Sequence, residues 1–180
     1  MQNFAFLKSL LSSQHITLTI KRLANQLLES PASFEETAFI GIQPRGIFLS
    51  DRIVEEIGRE VPNAPLLYGK LDITFYRDDV RNELRVANDT NIPFSIEGKR
   101  VVLIDDVLYT GRTIRAAMDA LMDFGRPAKV ELLVLIERRY SRQLPIQPDY
   151  VGKSIDSIVS QKVKVLWKER DGDDEVILLD

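Results

Sequence analysis

The stretch Val101-Val102-Leu103-Ile104-Asp105-Asp106-Val107-Leu108-Tyr109-Thr110-Gly111-Arg112-Thr113 constrains this 180-residue chain more than any other. Four consecutive apolar residues form a strand that is apolar on both faces, and such a strand needs helices on both sides of its sheet. Two acids follow the run, then a turn with hydroxyls and a glycine, and then a helical pattern over Arg112 to Phe124. That pattern places Ile114, Ala117, Met118, Leu121 and Met122 on one side, with Gly125 and Pro127 closing it. Ligands of open parallel sheets bind beyond the carboxyl ends of the strands. A helix start offers unpaired amides and a positive dipole end, which suits a phosphate. Thr110 and Thr113 add hydroxyl donors, and Gly111 lets the backbone curl close to a ligand. The adjacent carboxylates suit sugar hydroxyls or a metal-bound water. Read in isolation, Thr110 is equally a helix cap and the acids equally a solvated strand end; the apolar strand leading into them favours a binding site.

The remaining pattern is consistent with one α/β domain over residues 1–180. Helical spacing runs over Thr17 to Glu29 and Gly46 to Arg59. Short apolar or alternating runs at Thr37 to Ile42, Leu66 to Tyr76, Lys129 to Ile136, Tyr150 to Lys153, Lys162 to Trp167 and Glu175 to Leu179 predict strands. The alternation of strand and helix implies a mostly parallel sheet covered on both faces. Residues 77–96 are polar, with Asn and Asp clusters, and predict a long flexible loop of the kind that often serves as a lid.

The chain has no cysteine and a single histidine, His15. Disulfides, thiolate metal sites and a cysteine nucleophile are therefore excluded, and a Ser-His-Asp triad would have only His15 to use. Its place before the first helix predicts a helix-entry or surface histidine. Chemistry must come from carboxylates, Arg and Lys, hydroxyls, backbone amides and a bound ion. Asp105 and Asp106 do not make a glycosidase pair, because neighbouring strand residues point to opposite faces and cannot flank one bond.

The net charge is −3, but six acids and one base lie between Glu169 and Asp180. Taking these from the 27 acids and 24 bases of the whole chain leaves 21 and 23, a body of +2 with an acidic C-terminal segment over 169–180. No run approaches a transmembrane length, and Met1 to Lys8 lacks the basic leader of a signal peptide, so a cytoplasmic protein is expected.

The strand, acid pair and Thr-Gly-x-Thr turn resemble the phosphoribosyl-pyrophosphate signature of the type I phosphoribosyltransferases. Together with Leu71 to Asp79 and Leu144 to Lys153, they resemble the bifunctional PyrR family over roughly residues 15 to 168. Its members regulate pyrimidine operons by attenuation and have uracil phosphoribosyltransferase activity. The resemblance implies a twisted sheet with a small hood built from the chain ends. It implies that Asp105 and Asp106 hold the ribose hydroxyls and bind Mg²⁺ through water or substrate. It further implies that Leu108, Tyr109, Thr110, Gly111, Arg112 and Thr113 hold the 5′-phosphate, and that Pro44, Arg45 and Gly46 form the diphosphate loop with Arg45 as its cation. Arg77 enters the site from the lid, and Val151 and Lys153 meet the base. The substrates implied are phosphoribosyl pyrophosphate and uracil, and the assembly a homodimer or larger.

The sequence departs from the family in two places. Asp156 and Ser157 stand where relatives usually have Pro and Thr, which bears on base selectivity and leaves hypoxanthine or guanine as an alternative acceptor. The segment Arg138-Arg139-Tyr140-Ser141-Arg142 carries an extra residue, and Gln147 stands where relatives often have Arg. With Lys21 and Arg22, the arginines Arg138, Arg139 and Arg142 are the candidates for binding an mRNA leader hairpin, Tyr140 being an aromatic able to stack on a base. A solvated Arg-rich loop is the plain alternative. A regulator with little enzymatic activity remains the other functional reading.

Overall fold

The computed structural model describes residues 7–78 and 87–180. Its centre is a five-stranded sheet in which every neighbouring pair is parallel. The strands are β2 (Thr37–Ile42), β3 (Leu67–Leu71), β4 (Arg100–Leu108), β5 (Lys129–Arg139) and β6 (Tyr150–Asp156), in the order β3-β2-β4-β5-β6. A second, antiparallel sheet joins β1 (Leu7–Leu11), β8 (Glu175–Leu179) and β7 (Lys162–Leu166), in the order β1-β8-β7. It unites both ends of the described chain in the small hood that the resemblance implied.

The alternation along β4 sorts the core. Val102 and Ile104 pack into one apolar cluster with the helices α1 (Ser13–Leu28) and α2 (Gly46–Glu60). Val101 and Leu103 pack into the other with α3 (Arg112–Leu121). Both faces are therefore covered, as a strand with no polar side requires. Helix α1 buries Ile16, Ile20, Leu23, Ala24 and Leu27, one stripe at helical spacing. Each buried Leu or Ile contributes roughly 1.5–3 kcal/mol. The helix starts four residues before the periodicity alone predicts, because the Ser12 hydroxyl accepts the His15 N–H at 3.4 Å and caps it. His15 is exposed, and its ring lies 3.0 Å from that same hydroxyl, so it stands at helix entry as expected.

Three predicted strands have different limits. The stretch predicted over Leu66 to Tyr76 ends at Leu71. The Asp72 carboxylate then accepts the Thr74 N–H and hydroxyl at 2.8 and 2.6 Å, turning the chain into a short 3₁₀ segment at Thr74–Tyr76. The acid pair lies within β4, which continues to Leu108. Arg138 and Arg139 belong to β5 rather than to a loop. Strand β1 has too few residues to show a period and gains its partner only from β8, 170 positions away in the chain.

Part of the predicted 77–96 loop is anchored. Asn91 bridges to Lys70 on β3, Gln43 Nε2 donates to the Asp89 carbonyl at 2.8 Å, and Ile96 is fully buried. Residues 79–86, the centre of the proposed lid, lie outside the described residues. The fourth helical turn, α4 (Lys168–Asp171), joins β7 to β8 and places the acidic segment against α2.

Candidate phosphoribosyl site

The carboxyl ends of β2 and β4 carry the predicted site residues. Asp105 and Asp106 are both buried, at 6% and 8% exposure. Asp105 Oδ1 accepts the Asp106 N–H at 2.9 Å. Burial pushes the Asp105 carboxyl well above its usual range, and the neighbouring Asp106 charge adds to this, while Arg77 opposes it. Burial likewise pushes Asp106 up to about 6, against the pull of Arg45 and of the Trp167 side chain. The two acids thus look to different cations, Asp105 to Arg77 and Asp106 to Arg45, as the alternation of strand faces demands.

After β4 the chain forms the expected loop. A cleft of about 120 Å³ is lined by Arg77 and by residues 107–114, which include Leu108, Tyr109, Thr110, Gly111, Arg112 and Thr113. Gly111 has φ +92°, and a Cβ there would lie 2.9 Å from Ile146, so both backbone conformation and space require glycine. It is also the N-cap of α3 and supplies no side-chain cap. Thr110 Oγ1 accepts the Arg112 N–H at 3.4 Å, but the N-cap position of α3 belongs to Gly111, so Thr110 is not simply the helix cap. The loop is braced from behind: the Gln143 and Leu144 amides donate to the Thr110 carbonyl at 3.0 and 3.2 Å.

A second cleft, about 330 Å³, is lined by Gln43, Pro44, Ile73, Thr74, Arg77, Asn88 and Arg170. Arg77 lines both clefts and joins them beside Asp105. Gly46 lets α2 start against β4, since a Cβ there would lie 2.6 Å from the Ile104 carbonyl. Arg45 departs from its expected role. It does not line this cleft; its guanidinium donates to the Val165 carbonyl at 2.5 Å and pairs with Asp171 at 3.4 Å, both in the hood. Arg170 lines this cleft and was not named by the sequence reading; it was visible there as the one base in an acidic segment, but only the fold carries that segment to this cleft.

Several residues expected to contact base or RNA have partners within the chain. The Val151 and Gly152 carbonyls accept Arg22 at 3.1 and 2.6 Å, and Lys153 Nζ donates to the Leu10 carbonyl at 3.1 Å. Val151 and Lys153 are thus joined to α1 and to the hood, and they line none of the described clefts. An apolar cleft of about 400 Å³ is lined by Tyr140, Asp156, Ser157, Ile158, Val159 and Gln161. Arg138 connects it to the loop. It stacks 3.9 Å over the Tyr109 ring, its Nε donates to Ser157 at 2.8 Å, and its other donors reach the Ile158 and Gln161 carbonyls. At 4% exposure Arg138 is a buried strut, not a surface cation for RNA.

Arg142 is similarly occupied. It pairs with Glu137 at 2.9 Å and donates to the Tyr109 and Ile146 carbonyls, bracing the phosphate loop. Of the basic candidates, Lys21, Arg22 and Arg139 are exposed; Arg22 is tied to β6, and Arg139 pairs with Asp156 at 2.7 Å. The acidic segment is also less free than its composition implies, because Glu169 and Asp174 pair with Arg52 and Asp171 pairs with Arg45.

Comparison with known proteins places the chain in a family. The phosphoribosyl transferase domain family matches residues 7–170. "Bifunctional protein PyrR" of Elusimicrobium minutum is 44% identical over 174 residues, covering 96% of both chains. The protein of the same description from Deinococcus radiodurans is also 44% identical, over 96% of this chain and 94% of that one. Among solved structures, a hypoxanthine phosphoribosyl transferase of Trypanosoma cruzi superposes with a TM-score of 0.71 at 18% identity, covering 100% of this chain and 94% of that one. One from Staphylococcus aureus gives 0.68 at 23% identity, covering 94% and 90%. These structural likenesses concern the fold.

Proposed function

The chain belongs to the phosphoribosyltransferase family, and to its bifunctional PyrR branch, and on that premise we propose that it converts uracil and phosphoribosyl pyrophosphate to UMP and diphosphate. The observation that carries the proposal is the buried acid pair of β4, followed at once in the chain by the turn and glycine-capped helix start that line one cleft, with Arg77 lining that cleft and a second one that also holds Arg170.

In this reading the amides and hydroxyls of Tyr109 to Thr113 hold the 5′-phosphate. Asp105 and Asp106 accept hydrogen bonds from the ribose hydroxyls. Arg77 and Arg170 face the diphosphate, which bidentate guanidinium donors suit. Arg45 supports the Asp106 charge from the hood side. The nucleobase lies toward Arg138 and the apolar cleft at Ile158 and Val159. Charge develops on the departing diphosphate while the sugar becomes cationic, so prepositioned donors and exclusion of water serve the reaction better than a nucleophile. This answers the absence of cysteine and the peripheral histidine.

Mg²⁺ fits the donor set. Hard cations take oxygen ligands, and two adjacent carboxylates that burial disfavours as anions gain from a nearby cation. Among the described residues no group of three or more His, Cys, Asp or Glu forms a dedicated cage, which suits an ion shared with substrate. Asp105 and Asp106 would hold it through water or substrate, and it would neutralise diphosphate charge.

A second role, nucleotide-responsive binding of an mRNA leader hairpin, is supported by the relatives' shared description as bifunctional; a homodimer is the assembly that we propose for it. No helix among the described residues is long and apolar enough to cross a membrane.

The test is diphosphate release by the purified chain with phosphoribosyl pyrophosphate, Mg²⁺ and a panel of bases. Uracil-dependent release supports the proposal. Release with hypoxanthine or guanine alone reassigns the acceptor, and none with any base leaves the regulator reading.

A further inference from the structure

Asp72 follows β3 directly and is half-buried. Its carboxylate is shared between two segments far apart in the chain. Oδ1 accepts the Thr74 N–H at 2.8 Å and the Thr74 hydroxyl at 2.6 Å. Oδ2 accepts the N–H of Asn88, sixteen positions further on. The Asp72 N–H donates to Thr90 Oγ1 at 3.0 Å, on that same returning segment.

Thr74 and Asn88 both line the 330 Å³ cleft, together with Arg77 and Arg170. Asp72 is not among the lining residues, yet it holds the cleft's two walls through one side chain. Thr74 also opens the 3₁₀ segment Thr74–Tyr76, after which the chain reaches Arg77. A turn at Thr74 needs only one acceptor oxygen, which Asn or Ser would supply. The amide of Asn88 needs a second. A carboxylate accepts on both oxygens, whereas a carboxamide accepts at one end and donates at the other.

We propose that Asp72 is a positioning residue for diphosphate binding, its carboxylate tying the Thr74 and Asn88 walls together so that Arg77 is held across the cleft from its partners on the ligand. The inference rests on the reading of this cleft as the diphosphate site and extends it to a residue that does not line it.

The test is calorimetric titration of the full chain with two probes, inorganic diphosphate in the presence of Mg²⁺ and ribose 5-phosphate. Asp72→Asn should weaken diphosphate binding about tenfold, the loss expected for one hydrogen bond to a charged group. Binding of ribose 5-phosphate should stay within about twofold of wild type. Thr74→Val leaves the carboxylate in place and removes one of its donors, so it should weaken diphosphate binding about threefold, and it decides the matter if Asp72→Asn fails to fold. Equal weakening of both probes overturns the proposal, because it marks a general loosening of the fold. Unchanged diphosphate affinity in either folded variant overturns it as well. If wild type binds ribose 5-phosphate but not diphosphate, the reading of the cleft fails first and takes this inference with it.

Discussion

Arg45 and Asp171 lie 3.4 Å apart across the seam between the β2–α2 loop and the hood, and Arg45 also donates to the Val165 carbonyl at 2.5 Å. The arginine at the start of α2 is thus part of how the hood docks. Asp171→Asn removes the carboxylate while keeping the side chain's shape. We expect kcat/KM to fall about tenfold through misplacement of Arg45, with Tm lower by only about 1–3 °C, since partly exposed pairs contribute little. Hydrogen bonding to the Trp167 N–H and the nearby Arg45 hold the Asp171 carboxyl below its usual range. A depressed acid contributes stability above its unfolded value and loses it as pH falls through the folded one. The difference in Tm between wild type and variant should therefore be full at neutral pH and shrink as pH falls below the usual carboxylate range, as a pH series of melts would show.

Asp106 has the opposite sign. Burial raises its carboxyl to about 6, and Asp105 moves in the same direction. An acid raised in the folded state costs stability when ionised, so that cost falls as pH drops from above 6 toward the usual carboxylate range. For Asp106, a rise from the usual carboxylate value to about 6 corresponds to roughly 3 kcal/mol at most. Asp106→Asn should raise Tm at pH 7.5 and flatten its rise between pH 7.5 and 5, while lowering turnover by at least a hundredfold. A variant less stable than wild type at pH 7.5 would contradict the burial argument. In the wild type, protonation of the pair predicts that kcat/KM falls as pH drops below about 6.

These acids also show what the sequence could and could not reveal. Local chemistry made them legible: an apolar run into two carboxylates and a Thr-Gly turn has few other uses, and the Gly111 contact with Ile146 confirms why the turn needs glycine. Arg45 was read correctly as belonging to a strand–helix loop, but its partner Asp171 is 126 positions away, and no spacing rule reaches that far. Arg138 and Arg142 looked like one basic cluster because charge is visible in sequence and burial is not. In the fold, Arg138 stacks on Tyr109 and Arg142 folds under the phosphate loop. The hood strand β1 was missed because five residues carry no period until β8 pairs with them. Arg170 was hidden by its acidic neighbours.

The same contrast separates the two neighbouring arginines in any RNA assay. Arg139 is half exposed, and Arg138 is a buried strut. Arg139→Ala should leave Tm nearly unchanged and, if RNA binds this face, reduce the slope of log affinity against log salt by about 1. Arg138→Ala should lower Tm, because Tyr109 and the Ile158 and Gln161 carbonyls lose their partner. Its effect on uracil turnover should exceed that of Arg139→Ala. Equal Tm for the two variants would show that Arg138 is not the strut described.

The phosphate loop offers a final separation of binding from folding. Thr110→Val and Thr113→Val keep the side-chain volume and remove a hydroxyl each, at half-buried positions with no apolar core to disturb. Together they should raise KM for phosphoribosyl pyrophosphate about tenfold or more with Tm within about 2 °C of wild type, the loss belonging to the 5′-phosphate contacts. Gly111→Ala should behave differently. Its Cβ would sit 2.9 Å from Ile146 in a backbone held at φ +92°, so the loop must shift or strain. We expect a stability loss of about 1–3 kcal/mol together with loss of turnover. If instead the valine pair melted early and Gly111→Ala were silent in both measurements, the loop would be a structural turn, and the 5′-phosphate would have to be held elsewhere.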